Sequence, residues 1–164
     1  AAQIIIQHIT DGILLARRFR IPPRIQDFIR EHHGTLLARY HYTRAIQAAD
    51  NDPSQVDSSL FRYPGPRPRS RETALLMLAD GSEARFRAEN PKTDDDLRKL
   101  VKKVFDFLQA EGQMDDTILT LRDLHQVTEV FVTTIKNTYH PRLQYPELKA
   151  GAGKEPITQP LENK

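Results

Sequence analysis

The sequence predicts an all-α domain, on three observations. Apolar residues recur at spacings of three and four along every long segment, most clearly at Leu97, Leu100, Val101, Val104, Phe105 and Leu108, which is the period of a helix with one buried face. Helix boundaries are marked by residue type: Thr93 with Asp96 and Thr120 with Asp123 open segments, and Gly34 and Gly112 close them. Prolines gather instead over 50–71, where they exclude helix and make a central strand implausible.

In chain order, Ile5, Ile6, Ile9, Ile13 and Leu14 carry a stripe to about Phe19, where Pro22 and Pro23 interrupt it. A short helix with Ile25, Phe28 and Ile29 on one face follows and stops at Gly34. Thr35 is expected to open the next helix, which fades near Ala49. The proline-rich segment 50–71 reads as a loop, long enough to be functional rather than a plain connection. Ser70 and Glu72 mark a helix to about Ala88, and the segments opened by Thr93 and Thr120 complete the set. In the last of these, Leu124, Val127, Phe131 and Ile135 face inward. Residues 1–145 are read as one domain and 146–164, rich in Pro, Gly, Lys and Glu, as a disordered tail.

Composition removes several classes of function. With 164 residues the chain fits one core. A net charge of +2, with basic residues spread out, gives no case for a nucleic-acid partner. Without cysteine there are no disulfides, thiolate nucleophiles or Cys-rich zinc sites. No run of about 20 apolar residues is present to span a bilayer. Seven glycines include no phosphate-cradling loop, and no serine sits at a Gly-flanked elbow.

What is left points to a metal. His8 lies on an amphipathic segment, His32 and His33 end a helix, and Asp80 follows the apolar run Ala74, Leu75, Leu76, Met77, Leu78 and Ala79. Imidazoles with a carboxylate are the ligand mix for Zn, Mn or Fe. Each has a plainer reading: the paired histidines can meet the last helix carbonyls, His8 can be a hydrogen-bonded interior group, and Asp80, expected to be buried, can pair with Arg71 or Arg85. Arg62, Arg67, Arg69 and Arg71 can clamp phosphates or merely be solvated. Tyr40, His41 and Tyr42 can stack a base or pack in the core. Glu83 is either a support for Asp80 or a surface acid.

Taken together, Gln-His-Ile-Thr-Asp-Gly at 7–12, Ile-Arg-Glu-His-His-Gly-Thr at 29–35 and Leu-Ala-Asp at 78–80 resemble the HD-domain metal-dependent phosphohydrolases. Phe-Arg-Tyr-Pro-Gly-Pro at 61–66, Leu-Thr-Leu-Arg-Asp-Leu at 119–124 and Tyr-His-Pro-Arg at 139–142, with Tyr-Pro-Glu at 145–147, narrow this. They resemble the intracellular HD domain of the seven-transmembrane HD hydrolases that degrade cyclic di-AMP. The resemblance covers about 4–147.

It implies a helical HD bundle, represented here by its larger carboxyl-terminal part. By that resemblance His8, His32, His33 and Asp80 are metal ligands, with Asp80 and His33 also catalytic and Arg62, Arg67 and Tyr40 binding substrate. The family's first His and its His-Asp pair have no counterpart here. His41 between two tyrosines and Gly81 after the last ligand are smaller departures. The implied reaction uses two ions, Mn or Fe, to direct water at phosphorus, and yields a linear dinucleotide. The alternatives are another nucleotide substrate or a noncatalytic binding module. The implied location is the cytoplasmic face of the cell membrane, with membrane contact only through spans upstream of this chain. The chain is expected to start inside or just before a helix, to expose an apolar strip along Ile5 and Ile9, and to self-associate through it.

Overall fold

The computed structural model describes residues 2–139, so the tail expected over 146–164 lies outside the described residues. Six α-helices form among the described residues: α1 (Ala2–Arg18), α2 (Pro23–Glu31), α3 (Arg39–Ala48), α4 (Arg71–Glu89), α5 (Asp94–Ala110) and α6 (Leu121–Tyr139). The all-α class is therefore what the described residues adopt.

The helices begin and end for local reasons. Pro23 occupies the first turn of α2, where its missing N–H has no helical partner to lose. Ser70 caps α4 by accepting from the Thr73 amide, and Thr73 answers at the Ser70 amide, so the box closes on Thr73 and not on Glu72. Thr93 accepts from the Asp96 amide at 3.1 Å at the start of α5, where three aspartates also meet the positive end of the helix dipole. Thr120 and Asp123 cap α6 reciprocally, at 3.2 and 2.9 Å.

Thr35 does not open a helix. Its amide and hydroxyl are both engaged by Gln113, and residues 36–38 run extended beside 61–63. The Ala38 amide donates to the Phe61 carbonyl at 2.7 Å and the Tyr63 amide to the Leu36 carbonyl at 3.0 Å, around a bridge between Leu37 and Arg62. With those backbone groups already paired across the chain, α3 starts only at Arg39. The loop expected over 50–71 contains two short 3-10 turns, Pro53–Gln55 and Ser58–Phe61, each opened by an aspartate that accepts from a serine amide.

The core lies between α4 and α5. Ala74, Met77, Leu78, Leu100, Val104, Leu108 and Met114 are buried together, and Leu124, Val127 and Phe131 of α6 cover them. Leu97, Val132 and Ile135 continue it towards Phe86. The first helix is a thinner layer. It buries only Ile9, Ile13 and Ala16, and packs on α2 and on the turn before Arg62. Ile9, expected on an exposed strip, is 3% exposed, because its side of α1 faces α2. Ile5 is exposed as expected, and the apolar surface runs through it with Ile4, Leu14, Leu15 and Phe19.

Candidate metal centre

Two helices meet at the histidines. His8 comes from the second turn of α1, and His32 and His33 from the end of α2, and one ring nitrogen from each lies within 4.8 Å of the others. The His8 and His32 Nε2 atoms face one another at 3.2 Å. The His32 Nδ1 donates to the Ile29 carbonyl at 2.9 Å, and the His8 Nδ1 to the Ile5 carbonyl. A carbonyl can only accept, so each Nδ1 carries the proton and, in the neutral form, each Nε2 is left with a bare lone pair. Two lone pairs at 3.2 Å repel unless a proton or a cation lies between them. Imidazoles bound at about 2.0–2.1 Å in a tetrahedral site stand about 3.3 Å apart, so the spacing suits a shared ion.

The third imidazole is in a different setting. His33 is about three-quarters covered, and its Nδ1 lies 3.8 Å from the Asp80 Oδ2. Burial, helped by the neighbouring His32 and His8, pulls its pKa down from 6.5 to about 4. A group so disinclined to take a proton is neutral at ordinary pH and free to bind a metal. Tyr63 stacks on the other side of this ring, centroids 4.3 Å apart and planes 21° apart. Burial, then the charge of Asp80, raises the Tyr63 pKa, so the phenol keeps its proton.

Asp80 is not buried. Its side chain is 48% exposed, although six apolar residues precede it. Of those, Ala74, Met77 and Leu78 fill the inward face of α4, while Asp80, some 200° round the helix from Leu78, projects beside His33. Neither arginine expected to neutralise it does so: Arg71 pairs with Asp123 at 2.5 Å and Arg85 with Glu89 at 3.7 Å. Glu83 is a surface acid, bound to Arg87 and Tyr139.

The centre is held by side chains whose structural role the sequence did not reveal. Glu31, next to the histidine pair and 2% exposed, accepts from the Arg69 amide, the Arg69 Nε and the Thr73 hydroxyl, at 3.0, 3.1 and 2.7 Å. This locks the end of α2 to the start of α4. On the other side of the pair, Gly34 is required: its φ is +50°, and a Cβ would stand 2.2 Å from the Gln113 Oε1 and 2.8 Å from the Met77 Cε. Gln113 holds the turn by accepting from the Thr35 amide at 3.0 Å.

The basic loop is likewise bound to protein. Arg62 donates to the Thr35 carbonyl, Arg67 to the Gly112 carbonyl and the Asp115 carboxylate, with Asp116 beside it, and Arg69 to Glu31. Arg62 is thereby fastened two residues from His33, whereas Arg67 ties the loop to the turn after α5. Tyr40 is 71% exposed on α3, edge-on to His41. The structure therefore brings together His8, His32 and His33, sets Asp80 beside His33 alone, and adds Tyr63, which sequence reasoning had noted only within a motif. A cleft of about 480 Å³ between α5 and α6, lined by Lys99, Lys102, Phe105 and Leu124 among others, holds none of these residues.

No family model matches the chain. It is 34% identical over 144 residues to the cyclic-di-AMP phosphodiesterase PgpH of Bacillus subtilis, a match that takes in 88% of this chain and 20% of that protein. PgpH of Listeria monocytogenes is 28% identical over 146 residues, 89% of this chain and 20% of the relative. This chain spans about a fifth of the length of these relatives. Among solved structures, the L. monocytogenes PgpH HD domain in complex with cyclic-di-AMP superposes with a TM-score of 0.76 at 26% identity, over 88% of this chain and 66% of that one.

Proposed function

We propose that the chain is part of a PgpH-type HD domain, and that it forms part of a metal-dependent phosphodiesterase that opens cyclic di-AMP to a linear dinucleotide. The observation that carries this reading is the pair of Nε2 atoms facing each other at 3.2 Å, each turned inward by a proton held on the Nδ1 behind it. A divalent ion, Mn or Fe, would neutralise charge on the phosphoryl oxygens and lower the pKa of an attacking water.

The chain's own groups do the rest. His8 and His32 would hold the ion through Nε2, and His33, kept neutral by burial, would be the third nitrogen ligand. Asp80, beside His33, would add a carboxylate, and its Oδ2 is the atom proposed to accept a proton from the attacking water. Arg62, bonded to the Thr35 carbonyl two residues past His33, is proposed to steady a phosphoryl oxygen, and exposed Tyr40 to stack a base. Arg67 is offered a lesser part, because Gly112 and Asp115 already occupy it. The cytoplasmic face of a membrane is part of the same proposal. No described helix is long and apolar enough to cross one.

Three imidazoles and one carboxylate suffice for one ion, and the proposal places the ligands of a second outside this sequence. A noncatalytic binding module is the second reading, favoured by that short ligand set. The two are separated by assaying this chain and a complete HD domain containing it for the linear dinucleotide, with and without chelator. We expect metal-dependent turnover from the complete domain and little from this chain alone. Chelator-resistant turnover would overturn the mechanism, and a complete domain that binds cyclic di-AMP without turnover would establish the module.

A further inference from the structure

We propose that Tyr63 is a positioning residue of the metal centre, its ring forming the wall that sets the plane of the His33 imidazole. This rests on the metal-binding reading above and extends it to the Tyr-Pro-Gly-Pro loop. Histidines that bind metals are usually oriented by a hydrogen bond from the nitrogen that does not bind. His8 and His32 have that bond, to the Ile5 and Ile29 carbonyls. His33 does not: among the described residues neither of its ring nitrogens has a hydrogen-bond partner, and its Nδ1 stands 3.8 Å from the Asp80 Oδ2, too far for one. What fixes this ring is packing, with His32 at 4.2 Å on one flank and Tyr63 stacked at 4.3 Å and 21° on the other.

Tyr63 is delivered there by backbone. Its amide bonds to the Leu36 carbonyl, Ala38 bonds to Phe61, and Arg62 reaches the Thr35 carbonyl, so 61–63 is clipped to the segment that leaves His33. Gly65, at φ +73°, lets the loop close on Thr35, whose Cγ2 would stand 2.9 Å from a Cβ there. Ring and ligand are thus fixed to one short clip, Tyr63 at the pairing itself and His33 three residues before Leu36. The Tyr63 hydroxyl has no hydrogen-bond partner among the described residues, which leaves the aromatic face as the working part.

The test is calorimetric titration of Mn into the chain and its variants, with helicity and melting followed alongside. Tyr63→Phe keeps the face and should bind within about 2-fold of the unsubstituted chain. Tyr63→Leu should bind on the order of 10-fold more weakly, as when a ligand loses its outer support. Tyr42→Leu is the control: Tyr42 packs edge-on against Phe61 at 5.5 Å, away from the imidazoles, and its loss should lower melting without weakening metal binding. Should Tyr63→Leu fail to fold, proton NMR of the metal-free unsubstituted chain decides, because a stacked ring shifts the His33 ring protons upfield of those of His8 and His32. Equal binding by the Leu variant, equal weakening by the Phe variant, or unshifted His33 protons would each overturn the proposal. An unsubstituted chain that binds no Mn would overturn the metal centre itself, and the positioning role with it.

Discussion

The two faces of α4 have different tasks, and the contrast explains where the chain is robust and where it is reactive. Towards α5 and α6, α4 presents Ala74, Met77 and Leu78, which are between 0% and 2% exposed and packed on Leu100, Val104 and Leu108. Towards α1 and α2 it presents Asp80, half in solvent, beside imidazoles that fill one another's surroundings in place of apolar groups. The first layer contributes burial, which is additive and tolerant of small shifts. The second depends on a few directional contacts, and a shift of a fraction of an ångström there changes which atoms can share an ion. Polar groups facing each other cost stability, so the dense layer and the Glu31 and Gln113 clasps must hold what the centre would not hold by itself.

Five substitutions, one of them read by a pH titration, would break or sharpen that contrast. The largest effect is expected from Asp80→Ala. In a complete HD domain, phosphodiesterase activity should fall by about 100-fold or more, beyond what losing an outer-shell partner costs. Its melting should hardly move, since a half-exposed surface acid contributes within about 0.5 kcal/mol. Activity retained in that variant would sink the assignment of Asp80.

Leu100→Ala should do the reverse. A fully buried leucine at the α4–α5 seam costs about 3 kcal/mol when truncated, seen as a lower urea midpoint, with Mn affinity unchanged while the protein stays folded. Coupled loss of both would show that the layers are not separable.

Gly34→Ala lies at the junction and should damage both. The strained left-handed backbone and the collision with Gln113 should cost about 1–3 kcal/mol. Displacing the turn after the histidine pair should weaken Mn binding by about 10-fold.

Acid should act through His33. Its folded pKa of about 4 lies below the ordinary 6.5, so between those values the unfolded chain takes a proton that the folded chain refuses. The corresponding stability is complete above pH 6.5 and is lost as pH falls towards 4. The melting temperature of the metal-free chain should drop over that window, and His33→Phe should flatten the drop.

The smallest effect concerns the outer face of α1. Ile4, Leu14, Leu15 and Phe19 form apolar surface on one thin helix, so sedimentation of this chain should show concentration-dependent association. Leu15→Asp should reduce it while changing unfolding free energy by no more than about 0.5 kcal/mol. A compact monomer at all concentrations would remove self-association from the picture.

The reach of the sequence follows from the range of the forces involved. Helix extents were legible because the signals are local: Thr93, Thr120, Ser70 and Pro23 act on amides within one turn, and the spacing of Leu97, Leu100, Val101 and Val104 follows the helical period alone. The same locality explains the resemblance of the His-His and Leu-Ala-Asp strings to a known family. Where a neighbour distant in sequence decides, local reading failed. Thr35 looked like a cap, but Gln113 took its amide; Asp80 looked buried, but its apolar predecessors belong to a different face of α4. Arginines that looked ready for phosphate were matched to Glu31, Asp115 and Asp123 across long loops. The residue types for a metal were therefore written in the sequence. That His8 and His32 aim bare nitrogens at each other, that His33 leans on Tyr63, and that Glu31 anchors the pair were decided only by tertiary structure, because each depends on two or more elements meeting, and no pattern within one helix encodes where another will lie.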